Sequence, residues 1–206
     1  CSTVYGRNGD TLLHCPPFEE QLAYLYFEDL TLPQASVPVR VPDDRDIGSI
    51  YSCLRYGIAS FLAQTGLTKM VIGVSGGIDS AVAAALYAHI LNPANVLLVN
   101  MPSQYNSPTT INLAHQLAQN LGCRYVDIPI GESVGLTVRQ ITAAGLPLTP
   151  FMRENVQARD RSSRILAAAA AAFGGAFTCN ANKSELTVGY CTLYGDESGC
   201  LAALAD

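Results

Sequence analysis

The 206-residue chain is 49% hydrophobic and only 14% charged, with a formal net charge of −5. That balance describes a folded domain with a sizeable core and excludes global disorder. It also argues against a broad basic nucleic-acid surface, but leaves anionic small ligands open, since backbone amides and metal ions bind phosphates inside acidic proteins. No stretch reaches the ~18 apolar residues needed to cross a bilayer, and the Ala167–Ala172 run reads as helix.

In chain order, Ser2–Tyr5 and Thr11–His14 flank Asn8-Gly9, a dipeptide suited to a type I′ hairpin turn. Leu22–Phe27 reads as a third short strand. Strands this short, with no helix between them, look like the edge of a larger sheet. The Pro-rich, charged segment Thr31–Asp46 reads as a linker. From Ile47 helices and strands alternate: helix Ile47–Gln64, strand Met70–Val74, helix Ser80–Ile90, strand Val96–Met101, helix Ser107–Leu121 and strand Arg124–Ile128. A long helix Arg153–Phe173, capped by Gly174-Gly175, and strand Ala176–Cys179 follow. Strands separated by helices of this length form parallel crossover units, so the expected fold is a doubly wound α/β sheet. Its ligands bind at the carboxyl ends of strands, just after Val74, Met101, Ile128 and Cys179. The chain begins at Cys1 and ends at Asp206 inside a motif-bearing region, so both ends read as cuts.

Seven cysteines (1, 15, 53, 123, 179, 191 and 200) form no CxxC pair and read as reduced thiols of a cytoplasmic protein. The histidines at 14, 89 and 115 have no zinc-ligand spacing.

The strongest chemical signal is Ser75-Gly76-Gly77-Ile78-Asp79-Ser80, between a strand and a helix. Two glycines let the backbone bend and present N–H groups to a polyanion, and the next helix adds the positive end of its dipole. Asp79 is an acid in an anion site, which requires a bridging cation such as Mg²⁺. The loop has neither the lysine of GxxxxGK[ST] nor the GxGxxG spacing. A plain strand-to-helix turn capped by Ser and Asp is the simpler alternative.

This SGGxDS loop resembles the PP-loop of ATP pyrophosphatases, which cleave ATP between the α and β phosphates and adenylate an oxygen of the acceptor. Further segments narrow the likeness. Glu154–Arg161 (ENVQARDR), Asn182–Tyr190 (NKSELTVGY), Thr192–Asp196 (TLYGD), Met101–Tyr105 (MPSQY) and Leu117–Gly122 (LAQNLG) together resemble the NAD⁺ synthetase family. The likeness spans roughly residues 47–206 and implies the adenine nucleotide alpha hydrolase-like fold.

The resemblance implies amidation of deamido-NAD: its nicotinate carboxylate attacks the ATP α-phosphorus, and ammonia then displaces AMP from the acyl-adenylate. It assigns Asp79, Glu185 and Asp196 to catalysis, with Asp79 and Glu185 holding Mg²⁺. ATP falls to Val74, Ser75, Gly76, Gly77, Ile78, Asp79, Ser80, Met101 and Asn180. Deamido-NAD falls to Asn155, Arg159, Asn182, Lys183, Glu185 and Asp196. Each has a plainer alternative. Glu185 is also placed to be a helix-start acid with Ser184 as cap; Arg159, Arg161 and Arg164 would also suit a solvated helix face; Asp196 after Gly195 would suit a turn; and Lys183 would serve equally as a structural donor. Relatives usually show Thr-Gly where this chain has Asn180-Ala181, and alanine is strained if that backbone needs positive φ.

The run from Ser2-Thr3-Val4-Tyr5 through Asn8-Gly9 to Pro17-Phe18-Glu19-Glu20 resembles the closing strands of a nitrilase-like glutaminase domain, so glutamine is the expected ammonia source. That domain's Glu-Lys-Cys triad would precede Cys1, and Cys1 and Cys15 are not its nucleophile. The family's downstream lysine and lid would fall after Asp206. The expected domains are therefore 1–30 glutaminase tail, 31–46 linker and 47–206 synthetase. The expected partners are deamido-NAD, ATP and glutamine or ammonia, with no nucleic acid, no membrane, and a homo-oligomer whose interface involves helices within 107–173. Alternatives are an ammonia-dependent enzyme, another PP-loop amidotransferase such as GMP synthetase, and a non-catalytic adenine-nucleotide sensor.

Overall fold

The computed structural model describes residues 2–26, 46–103 and 106–205, and the chain divides into two compact units, Cys1–Gly57 and Ile58–Asp206. The expected linker, apart from Asp46, lies outside the described residues, as do Phe27, Gln104 and Tyr105.

In the first unit β1 (Thr3–Tyr5) and β2 (Thr11–His14) pair antiparallel, with Thr3 opposite His14 and Val4 opposite Leu13. The turn is not type I′. Only Gly9 has positive φ (89°), Asn8 does not, and Gly9 N–H donates to the Gly6 carbonyl at 3.0 Å. A type I turn followed by a left-handed glycine is the three-residue alternative for such hairpins. The expected third strand is not formed over Leu22–Tyr26. Leu22, Tyr24 and Tyr26 are 78, 79 and 72% exposed, so the run has no buried face to hold it extended.

Helix α1 (Ile47–Thr65) ends in the second unit, where Ile58 and Leu62, four residues apart on one face, are buried. The sheet of that unit contains β3 (Met70–Val74), β4 (Val96–Asn100), β5 (Arg124–Asp127) and β6 (Ala176–Phe177), all parallel, in the order β5-β4-β3-β6. Met70, Val71, Ile72, Val96, Leu98 and Val99 are fully buried, as expected of parallel strands covered on both faces. The chain moves from β3 outward to β5, then returns to the other side of β3 for β6. This reversal opens a crevice beyond the carboxyl ends of β3 and β6.

The helices largely follow local chemistry. α2 (Ile78–Ile90) starts two residues earlier than expected and packs on β3 and β4 through Ala83, Ala84 and Tyr87. α3 (Pro108–Leu121) has Ser107 as cap, its Oγ accepting from Thr110 N–H at 3.2 Å, and ends at left-handed Gly122. α4 (Gly131–Ala143) was not foreseen, because two glycines and five β-branched residues obscure its period.

The long helix is not one helix. It starts three residues earlier than expected, at Pro150 behind a Thr149 cap, as α5 (Pro150–Arg159). It widens into π turns over Asp160–Leu166 and resumes as α6 (Ala167–Phe173). Ile165, Leu166 and Ala170 join Val71, Leu97 and Val99 in the core on that face of the sheet. α7 (Lys183–Val188) follows β6 and was also not foreseen as a separate element. No helix among the described residues is long and apolar enough to cross a membrane.

Candidate active site

The loop after β3 enters the crevice with its hydroxyls turned inward. Ser75 Oγ accepts from Gly77 N–H at 3.2 Å, Ser80 Oγ accepts from Ser75 N–H at 3.3 Å, and the Ser80 hydroxyl donates to the Gly77 carbonyl at 3.0 Å. Amides that would face a phosphate are thus held by the loop's own side chains. Gly76 has φ +82°, and a Cβ there would lie 2.3 Å from the Thr110 carbonyl oxygen of α3. The close backbone approach makes glycine obligatory. Gly77, at the start of α2, has no side-chain cap, which leaves that helix end open to an anion.

Opposite the loop, Asn182 caps α7 in a complete capping box: its Oδ1 accepts from Glu185 N–H at 2.9 Å, and Glu185 Oε2 accepts from Asn182 N–H at 2.9 Å. The same asparagine donates from Nδ2 to Asp79 Oδ1 at 3.3 Å. Glu185 is therefore a helix-start acid, with Asn182 rather than Ser184 as the cap. It also lines the same cavity as Asp79, and one amide ties the two acids together. No cluster of three or more metal-ligating side chains occurs among the described residues. Two carboxylates leaving most positions to phosphate and water is a donor set that fits Mg²⁺ and fits zinc poorly.

The cavity has a volume of ≈ 440 Å³, within the range of small-ligand sites. Of the residues expected to bind ATP, Val74, Ser75, Gly77, Asp79, Ser80 and Met101 line it. Asn180, Glu185 and Asp196 line it as well. Gly76 instead carries the turn, and Ile78 is 74% exposed on the outer side of α2. Asn180 Nδ2 donates to the Gly73 carbonyl at 2.7 Å, fixing its amide against the end of β3. Ala181 has no positive φ and is buried, so the expected strain there does not arise.

The Thr192–Asp196 loop lies along α5 and the π turns. Thr192 Oγ1 donates to Asn155 Oδ1 at 2.6 Å, Arg159 Nε donates to the Leu193 carbonyl at 3.2 Å, and Ser163 Oγ donates to the Tyr194 carbonyl at 2.8 Å. Asp196 accepts from Thr192 N–H with both oxygens, at 3.1 and 3.2 Å, closing the loop on itself. The turn role and the place in the cavity wall coexist. Lys183 contributes its backbone N–H to the Leu204 carbonyl at 2.9 Å, and neither it nor Asn155, Arg159 or Asn182 lines the cavity.

The NAD synthase family model matches residues 50–206. The chain belongs to the NAD synthase family. It is 40% identical to the glutamine-dependent NAD(+) synthetase of Synechocystis sp. and 34% identical to that of Rhodobacter capsulatus. Each match covers 100% of this chain and 37% of the relative, so the chain spans under two-fifths of their length. Among solved structures, the Acinetobacter baumannii glutamine-dependent NAD+ synthetase in complex with ADP superposes with a TM-score of 0.86 at 30% identity, over 99% of this chain and 38% of that one. The Campylobacter jejuni NH3-dependent NAD synthetase superposes at 0.72 and 28% identity, over 78% of this chain and 68% of that one. The fold is the PP-loop, adenine nucleotide alpha hydrolase-like fold of these enzymes.

Within the NAD synthase ENVQARDR segment, sequence reasoning left out the arginine that reaches furthest inward. Arg161 lines the cavity and a second one of ≈ 570 Å³ beside it, and its Nε donates to the Met101 carbonyl at 3.3 Å. It does not belong to a solvated face. Burial lowers its pKa from the usual arginine value, opposed by the charges of Asp160 and Asp196. Arg164 is half exposed but is paired with Asp160 at 2.7 Å. Asn100 was also missed: fully buried at the end of β4, it lines the cavity and donates to Asp127 Oδ1 at 2.9 Å. A polar residue ending an otherwise apolar strand was the available signal for it.

Proposed function

We propose that this chain is the synthetase part of an enzyme that amidates deamido-NAD to NAD⁺ at the cost of ATP, with ammonia drawn from glutamine. The observation that carries this is Glu185, tied through Asn182 to Asp79 of the SGGxDS loop, with both acids in the wall of one cavity. A nucleotide sensor has no need of two tethered acids beside a phosphate loop. In this reading the loop amides from Ser75 to Ser80, Ile78 contributing only its backbone and Val74 leading into the loop, receive the departing pyrophosphate, and Met101 and Asn180 border the rest of ATP. Asp79 and Glu185 would hold Mg²⁺, which neutralises charge on the α and β phosphates.

The nicotinate carboxylate displaces pyrophosphate from the α-phosphorus, giving the acyl-adenylate. Ammonia adds to its carbonyl carbon, loses a proton and expels AMP. Asp196, in the cavity wall, suits the place where that proton is released. In the same reading Asn155, Arg159, Asn182 and Lys183 would meet deamido-NAD from outside the cavity, and the second cavity shares Arg161 with the first. Glutamine as nitrogen source is supported by matches to glutamine-dependent relatives that run over all of this chain, including the residues before 50 that the family model leaves out. A cytoplasmic homo-oligomer completes the proposal.

The test is NAD⁺ formation by the full-length gene product with ATP, Mg²⁺, deamido-NAD and either glutamine or ammonium. Activity with both nitrogen sources, reduced at least about a hundredfold in Asp79→Ala and Glu185→Gln, is expected for residues that stabilise transition-state charge. Activity with ammonium alone would remove the glutaminase reading. Amidation only of a mononucleotide acceptor would favour the activity named for a Francisella tularensis NMN synthetase, which superposes with a TM-score of 0.72 at 25% identity.

A further inference from the structure

Three contacts of the Thr192–Asp196 loop fall on helix positions 155, 159 and 163, each four residues beyond the last. In an α-helix, positions four apart drift about 40° around the axis, so a third contact would swing away from an extended segment. The helix changes character between the second and third contacts, at Asp160. A π turn closes i→i+5 and rotates less per residue, which reverses the drift and brings Ser163 back in line with Asn155. The same turns send Ile165 and Leu166 into the core and leave Arg161 and Ser162 in the cavity wall. The docking is close as well as hydrogen-bonded. A Cβ on Gly195 would lie 2.9 Å from Ala158 Cβ and 2.9 Å from Thr192 Cβ.

The hydrogen bond from Ser163 meets the loop at its least comfortable point. Tyr194 has φ +62°, one of two non-glycine residues with positive φ among those described. Such a conformation is strained for a residue with a Cβ and persists where surrounding contacts over-determine it. The Tyr194 side chain is 67% exposed and supplies little of that hold. Its carbonyl, taken by the Ser163 hydroxyl at 2.8 Å, supplies more. Two residues on, Asp196 enters the cavity wall.

We propose that Ser163 is a positioning residue: aligned with Asn155 and Arg159 by the π turns, it holds Tyr194 in its left-handed conformation and so sets Asp196 at the cavity. The kinetic half of this inference rests on the function proposed above; the structural half does not. Ser163 touches no predicted ligand group, so its loss acts through the loop. Ser163→Ala is expected to lower kcat for NAD⁺ formation with ammonium about three- to tenfold, the range of one neutral hydrogen bond, with KM for ATP unchanged. Ser163→Thr, which keeps a hydroxyl, restores kcat to within about twofold. Gly195→Ala, which pushes the loop off Ala158 without a φ penalty, lowers kcat at least as much.

Amide hydrogen exchange of the full-length protein is read alongside. Exchange at Gly195 and Glu197, whose N–H groups both bond the Thr192 carbonyl, speeds up in Ser163→Ala and returns in Ser163→Thr. Wild-type kcat in Ser163→Ala overturns the proposal, and so does a slow Ser163→Ala whose exchange is unchanged. If the wild-type enzyme makes no NAD⁺, the functional reading fails by itself, and exchange still decides whether Ser163 holds the loop.

Discussion

Two loops meet at the cavity, and they are built in opposite ways. The Ser75–Ser80 loop is nearly self-contained: its serines hold its own amides over distances of two to five residues in sequence. The Thr192–Asp196 loop is held from outside, by Asn155, Arg159 and Ser163, 31 to 37 residues upstream. Short-range chemistry of the first kind can be read from a motif. The second kind appears only once a helix is seen to carry three partners on one line. A cavity assembled from both has one wall fixed by local sequence and one wall fixed by packing.

The largest test attacks a point where the first loop is not self-contained, its backbone contact with α3. Gly76→Ala places a Cβ 2.3 Å from the Thr110 carbonyl and forces alanine into φ +82°. Backbone strain and clash together are expected to cost about 2–4 kcal/mol and to abolish ATP binding. Gly9→Ala is the control. Its φ is +89° but nothing lies within 4 Å, so only the left-handed penalty of about 1–2 kcal/mol applies, with ATP affinity unchanged. Urea unfolding and ATP titration on both variants read the two costs. Equal loss of stability and intact ATP binding in Gly76→Ala would mean that the loop shifts away from α3 easily, and that it too is shaped by little beyond itself.

A smaller effect probes the support of the second loop. Asp160 begins the π turns and accepts from Arg164 at 2.7 and 2.8 Å and from Ser133 at 2.8 Å. Burial alone would raise its pKa, but the bonds to Arg164 and Ser133 and the charge of Arg161 outweigh that and hold it below the usual aspartate value. With the folded pKa depressed, the stabilisation is present above the unfolded value of about 3.9 and is lost as pH falls through the folded one. Arg164 is 51% exposed, so screening limits the pair to about 1 kcal/mol. Asp160→Asn should therefore be less stable than wild type at pH 7, with the gap closing below pH 4. A gap independent of pH would show that Asp160 acts through shape alone.

Legibility in the sequence follows the same division. The parallel sheet, its apolar strands and the strand-to-helix loop carrying Asp79 were readable, because period and turn chemistry are local, whereas Glu185 entered only through the family resemblance. What could not be read depended on distant partners. The family resemblance assigns Asn155 and Arg159 to ligand contacts, and nothing local shows that they also hold Thr192 and Leu193. Arg161 was weighed as a surface charge because the π turns that redirect this stretch leave no mark on a 3.6-residue period. α4 was hidden by Gly131 and Gly135. The Leu22–Tyr26 run had strand-like residues but no buried face to use them.

The smallest effect lies beneath the self-contained loop. Tyr87, on the helix that the PP-loop opens, is fully buried, and its hydroxyl has no hydrogen-bond partner among the described residues; the nearby Thr178 hydroxyl donates to the Leu201 carbonyl. Burial pushes its pKa up to about 12, with Thr178 lowering it slightly. A buried hydroxyl without a partner is a cost to the fold, so Tyr87→Phe is expected to be neutral or to stabilise by up to about 1 kcal/mol at pH 7. The alkaline limb gives the sign. An unfolded tyrosine ionises near 10 while the folded one resists to about 12, so wild-type stability falls as pH rises through that interval. Phenylalanine has no proton to lose, and the difference between the two proteins should grow from pH 10 to 12 in urea unfolding. Other tyrosines and cysteines titrate in both proteins and cancel in that difference. A Tyr87→Phe variant that is clearly less stable at pH 7 would reveal a partner for the hydroxyl, and with it a long-range support under the loop that looks locally complete.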